Sequence, residues 1–176
     1  MKTLILYSTT HGSTAVCAKK LAADLGGETD VSLLKHFTGD ITSYDCVVVG
    51  SPIYGGIILK EMKNFCKANL RTLMQRPFAV FFACLSEGST VVQTYLAQNF
   101  PEELSKHALA CESFGGAFYF SKLNFLERAI DRGLAKSYAK ATGAPVPSGR
   151  TDLVTISDEK IALFAEKLKN EVEKAE

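Results

Sequence analysis

Three segments of this chain, residues 2–7, 46–50 and 78–85, are short, β-rich and apolar at nearly every position. A sheet wetted on one side alternates apolar and polar residues, so continuous runs belong to parallel strands covered on both faces. Parallel neighbours need long crossovers, usually helical. The intervening sequence supplies them: over 14–25, Ala18, Leu21, Ala22 and Leu25 share a face, and 60–73 and 90–98 have helix lengths. Weaker strands are predicted at 28–33 and 108–114. Near the C-terminus, Ser157 or Asp158 can cap a helix that aligns Ile161, Phe164, Leu168 and Val172. The predicted fold class is α/β, a doubly wound five-stranded parallel sheet with helices on both faces. Such sheets bind ligands at the carboxyl ends of their strands, near the reversal of strand order. Function is therefore expected in the loops after the first, third and fourth predicted strands.

The first of these loops is rich in hydroxyls. Ser8, Thr9, Thr10, Ser13 and Thr14 surround His11 and Gly12 directly before a helix. The first amides of a helix lack partners and carry about half a positive charge, so hydroxyls and amides together suit a phosphate. Plain N-capping is the simpler alternative, but it needs only one hydroxyl. No lysine follows the glycine as in a P-loop, no glycine-rich dinucleotide fingerprint is present, and no acidic pair closes the first strand. What remains is a site for a terminal phosphate monoester.

The second loop contains Ser51, Pro52, Ile53, Tyr54, Gly55 and Gly56. Pro52 is expected to stiffen a turn, Tyr54 to offer a flat amphipathic ring, and the glycines to let a peptide unit rotate at little steric cost. That combination suits a planar ligand; a βα turn whose tyrosine covers the core edge is the alternative. The third loop, with Cys84, Leu85, Ser86, Glu87 and Gly88, adds amides at the same sheet edge.

Composition restricts the partners. A net charge of +1 over 176 residues argues against bulk electrostatic recruitment of nucleic acid. No apolar run approaches the roughly 20 residues of a spanning helix and no leader pattern is seen, so a single-domain, cytoplasmic protein is expected. Cys17, Cys46, Cys66, Cys84 and Cys111 show no paired spacing, which predicts buried reduced thiols and no metal site.

These motifs resemble those of the flavodoxins. Strand, "STTHGST" and helix are similar to that family's FMN phosphate loop, and "GSPIYGG" is similar to the loop that covers the flavin ring; the resemblance spans almost the whole chain. Within the family, the chain resembles the menaquinone-dependent protoporphyrinogen dehydrogenase branch in "MKTLILYST", in an extra residue before Gly12 and in a helical insertion at about 118–152. The resemblance implies noncovalent FMN, with residues 8–14 on the phosphate, 51–56 along one ring face and 84–88 along the other edge. It implies a flavodoxin-like oxidoreductase that passes electrons from a porphyrinogen toward a quinone or a redox partner protein. A carbonyl of the 54–56 turn directed at the flavin would separate its two one-electron potentials. No side chain is assigned as a catalytic acid or base, and His11 reads as an exposed loop residue. A diffusible electron carrier and a non-catalytic FMN-binding module are the alternatives; flavodoxin carriers are usually strongly acidic, which this chain is not.

A helix predicted over 124–140 aligns Leu126, Ile130, Leu134 and Tyr138, with Arg128, Arg132, Lys136 and Lys140 on the adjacent ridge. Like charges at this spacing cost an isolated helix about 0.2–0.5 kcal/mol per pair. The ridge points to an acidic partner: a porphyrin carboxylate, anionic headgroups at the inner face of a membrane, or an acidic redox protein. A solvated helix face is the alternative.

Overall fold

A computed structural model describes residues 1–85, 88–118, 136 and 152–174. Its elements are β1 (Lys2–Tyr7), α1 (Ser13–Leu25), β2 (Glu28–Leu33), β3 (Cys46–Tyr54), β4 (Ile57–Ile58), α2 (Lys60–Ala68) and α3 (Leu70–Leu73). They continue with β5 (Phe78–Ala83), α4 (Ser89–Asn99), α5 (Glu102–His107), β6 (Ala110–Ser113), β7 (Ala117–Phe118), β8 (Leu153–Val154) and α6 (Asp158–Glu173). Five strands run parallel in the order β2-β1-β3-β5-β6, and β4 folds back antiparallel on β3. The chain winds outward in one direction from β1 and in the other from β3, so the switch in strand order lies between them.

Burial follows the two-faced pattern of the central strands. Every residue of β5, and β3 from Cys46 to Pro52, is buried. Ile5, Val48 and Phe81 pack with Cys17 and Leu21 of α1 and with Ile161, Phe164, Leu168 and Val172 of α6. Leu4, Leu6, Val47, Val49, Val80 and Phe82 face the opposite layer, where Met62, Leu73, Val92, Leu96 and Leu104 cover them. Phe81 stacks on Phe114 at 4.9 Å, and Phe114 meets Phe164 edge-on at 5.1 Å. The thiols of Cys17, Cys46, Cys66 and Cys84 are buried and that of Cys111 is half-buried, and none of the five forms a disulfide. Burial pushes those of Cys17, Cys46, Cys66 and Cys111 up to about 12, so they stay protonated at neutral pH.

Several boundaries differ from the sequence-based expectation. The helix expected over 60–73 divides at Asn69, whose Nδ2 donates to the Phe65 carbonyl at 2.9 Å. Helix α5 has no counterpart among the predicted elements, although Glu102 and Glu103 in its first turn and Lys106 and His107 in its last complement the helix dipole. Ser157, rather than Asp158, caps α6, its Oγ accepting from the Lys160 amide at 3.2 Å. Beyond β6 the chain leaves through β7 and returns through β8, which pair Ala117 with Val154 and Phe118 with Leu153. Gly115 lies at φ 84°, and a Cβ there would stand 2.0 Å from the Thr155 carbonyl oxygen. The predicted 124–140 helix, with Arg128, Arg132 and Lys140, falls outside the described residues; Lys136, described alone, is helical and exposed. Among the described residues no helix is long and apolar enough to cross a membrane.

Gly50 shows how tightly β3 meets β5: a Cβ there would lie 2.1 Å from Cζ of Phe81. Gly50→Ala is therefore expected to lower unfolding stability by about 1–3 kcal/mol, read as a lower urea midpoint.

Candidate functional site

The loop between β1 and α1 is organised by its own hydroxyls. Gly12, at φ 92°, is the N-cap of α1, and no side chain caps the helix. Thr9 Oγ1 instead accepts from the Gly12 amide at 3.0 Å, tightening the turn. Ser8 is buried; its amide donates to the Gly50 carbonyl at 2.9 Å and its Oγ donates to Ser51 Oγ at 3.3 Å. Thr10 is exposed. Ser13 and Thr14 are buried on the first turn of α1, and Thr14 Oγ1 has no hydrogen-bond partner among the described residues. A buried hydroxyl left without a partner costs roughly 1–3 kcal/mol. His11 is half-buried rather than exposed as expected, because its ring meets Tyr54 edge-on at 6.4 Å.

The second segment differs in kind from the predicted loop. β3 continues to Tyr54, and Tyr54 pairs with Ile57 across a two-residue connection. Gly55 and Gly56 have φ of 57° and 84°, the positive values at both central positions that a type I′ hairpin turn requires. Pro52 lies in the strand opposite Ala83, not in a turn. A proline fits there because β1 pairing ends at Gly50, leaving this stretch of β3 at a partial edge. Ser51 Oγ donates to the Pro52 carbonyl at 3.0 Å and accepts from the Leu59 amide at 3.2 Å. Ile53 is half-buried and Tyr54 is 40% exposed, enough for its ring to face a ligand. Beneath the turn, Asn99 Oδ1 accepts from the Ile58 amide at 3.1 Å and Nδ2 donates to the Gly56 carbonyl at 2.8 Å. Sequence reasoning had no means of finding Asn99, since an asparagine ending a helix ordinarily reads as a C-terminal punctuation residue.

In the third loop Cys84 is buried with its Sγ 3.2 Å from Ser113 Oγ, and Leu85 is half-buried. A Cβ on Gly116 would stand 3.3 Å from the Cys84 carbonyl carbon, so the start of this loop is packed from behind. Gly88, at φ 102°, begins α4 with no side-chain cap. Ser86 and Glu87 fall outside the described residues. Gly12, Gly55 and Gly88, one from each loop, combine positive φ with open space where a Cβ would stand. The three loops thus present bare backbone along one sheet edge, with unpaired amides and a hydroxyl at the start of α1 and an aromatic ring on the hairpin.

With its strand order reversing between β1 and β3 and its loops gathered at the carboxyl edge, the chain falls in the class of doubly wound α/β proteins, whose ligands bind at that edge. A family model described as the flavodoxin domain matches residues 4–143, and the chain belongs to that family. It is 28% identical over 176 residues to protoporphyrinogen IX dehydrogenase [quinone] of Escherichia coli K12, covering 96% of this chain and 94% of that protein. With the Leishmania major protein of the same name it shares 27% identity over 163 residues, 88% of this chain and 69% of the relative. Among solved structures, a short-chain flavodoxin associated with a PDU bacterial microcompartment matches with TM-score 0.56 and 16% identity, covering 98% of this chain and 99% of that one. The rubredoxin oxygen:oxidoreductase of Desulfovibrio gigas matches with TM-score 0.50 and 14% identity; the chain spans 36% of that protein's length.

FMN is the cofactor that this membership carries, and the residues present fit it. The orphaned Thr14 hydroxyl and the uncapped first turn of α1 are donors in search of an anionic acceptor. Thr14→Val tests the fit in two directions. The variant is expected to leave the cofactor-free protein as stable or up to about 1 kcal/mol more stable in urea, because an unsatisfied buried hydroxyl is gone. Calorimetric titration is expected to show FMN binding weakened about tenfold, the loss of one charge-assisted hydrogen bond.

Proposed function

We propose that this chain is an FMN-dependent oxidoreductase of the protoporphyrinogen dehydrogenase (quinone) type, taking electrons from a porphyrinogen and delivering them to a quinone such as menaquinone. The observation that carries the reading is the nearly end-to-end match to the Escherichia coli protein of that name. The site geometry supports its cofactor. FMN, when bound, supplies the acceptance and release of electrons singly or in pairs.

The chain's own residues bind and orient. Thr14 Oγ1 and the first-turn amides of α1 hold the phosphate, with Thr9 and Gly12 shaping the loop. Tyr54 forms a wall for the ring, held edge-on by His11. The Cys17 and Cys46 thiols stay out of the chemistry because burial keeps them protonated. The basic residues Arg128, Arg132, Lys136 and Lys140 are proposed to meet the carboxylates of the porphyrinogen or anionic headgroups at a membrane surface.

The hairpin tunes the site through the conformations open to its glycines. Rotating the Gly55–Gly56 peptide converts a type I′ turn into type II′, which keeps φ positive at Gly55 and makes it negative at Gly56. A Cβ on Gly56 would meet only Tyr95 Cε1 at 3.8 Å and Gln98 Oε1 at 3.9 Å, so alanine fits in space but opposes the present φ. Gly56→Ala is expected to bias the rotated turn and change the gap between the two one-electron midpoint potentials of the FMN-loaded protein. Gly55→Ala penalises both turns and is expected to reduce stability with a smaller change in that gap. A redox titration unchanged in Gly56→Ala removes the peptide rotation from the account.

The activity itself is tested by the absorption spectrum of the purified protein and by anaerobic assays with protoporphyrinogen and a menaquinone analogue. A yellow protein that oxidises porphyrinogen and reduces the quinone is expected. A colourless protein that cannot be reconstituted with FMN refutes the reading, and a yellow protein inert to both makes it an electron carrier.

A further inference from the structure

Asn99 is one of the few polar side chains buried among the described residues, 1% exposed at the last position of α4. Its carboxamide is fully committed. Nδ2 donates to the Tyr95 carbonyl of its own helix at 2.9 Å and to the Gly56 carbonyl at 2.8 Å, while Oδ1 accepts from the Ile58 amide at 3.1 Å. The amide orientation is determined, because the reverse would set Nδ2 against the Ile58 N–H, donor against donor. One side chain therefore grips the peptide between Gly56 and Ile57 by its oxygen and the peptide between Ile57 and Ile58 by its nitrogen. The peptide between Gly55 and Gly56 is left without a partner among the described residues.

We infer that Asn99 is a positioning residue that pins the returning arm of the hairpin and restricts rotation to the single Gly55–Gly56 peptide. The inference rests on the FMN reading of the site for its redox consequence and on hydrogen bonds alone for the clamp. Without the clamp the Gly56–Ile57 peptide, flanked by a glycine with positive φ, is held only by the pairing of Ile57 with Tyr54, and the returning arm is less firmly fixed. Helix α4 starts from the third loop at Gly88, so the same helix that begins at one ligand-facing loop ends by holding another. Asn99 lies beneath the turn and acts through Gly56 and Ile58.

Two variants separate the two grips. Asn99→Leu removes both; Asn99→Asp, read at a pH where the carboxyl is ionised, keeps an acceptor for Ile58 and loses the donor to Gly56 and Tyr95. In the cofactor-free protein, Asn99→Leu is expected to speed hydrogen exchange at the Ile58 amide at least about fivefold relative to wild type, with β5 amides unchanged. Asn99→Asp is expected to leave Ile58 exchange within about twofold. In the FMN-loaded protein, both variants are expected to change the gap between the two one-electron midpoint potentials. Unchanged Ile58 exchange in Asn99→Leu, or an unchanged gap in both variants, overturns the inference. Should Asn99→Leu fail to fold, the potentials of Asn99→Asp decide it. If wild type takes up no FMN, the reading of the site falls and the redox half of the inference with it, while the exchange ratio still decides whether Asn99 pins the hairpin.

Discussion

Burial of the parallel sheet on both faces is the constraint from which the rest of the molecule follows. β1, β3 and β5 have no wet side, so each must be flanked by helices above and below, and each return to the sheet must be a crossover. Parallel strands all end on the same edge. Loops that follow β1, β3 and β5 therefore meet there whatever their sequences, and the site is assembled by topology before any side chain specifies it. The close contact of Gly50 with Phe81, and the Phe81, Phe114 and Phe164 rings beyond it, carry this packing from the sheet into α6.

At that edge the polar groups divide into two sets. Ser8, Ser51 and Thr9 satisfy one another or nearby backbone and knit the loops together. Thr14 and the first turn of α1 are left with donors and no acceptor. Leaving the Thr14 hydroxyl unsatisfied gives up local stability that an anionic acceptor would restore, which is what the proposed phosphate site supplies. The hairpin has a related asymmetry: its returning arm is held by Asn99 and its tip is built from two glycines.

Much of this was readable from residue order. The start and the buried face of α6 follow directly from a capping serine and apolar period. The break at Asn69 was hidden because apolar periodicity continues across it, while the division is made by a side-chain bond to the Phe65 carbonyl. "GSPIYGG" resembles a loop for a different reason. Proline and paired glycines punctuate loops and tight hairpins alike, and only the pairing of Tyr54 with Ile57 distinguishes them. The hydroxyls of Ser8 to Thr14 pointed to a phosphate, but which of them are consumed by the loop could not be read from their spacing.

The sequence by itself determined the α/β class, the strand runs, the helix faces and the location of three segments at the carboxyl edge of the sheet, because hydrophobic period and turn chemistry are local properties of the chain. Tertiary structure alone decided that Gly12 leaves α1 uncapped, that Thr14 rather than Ser8 keeps an unsatisfied hydroxyl, and that Asn99 reaches a hairpin far away in sequence. Those outcomes depend on which hydrogen-bond partners arrive in three dimensions, and a donor's neighbours in sequence do not specify its neighbours in space.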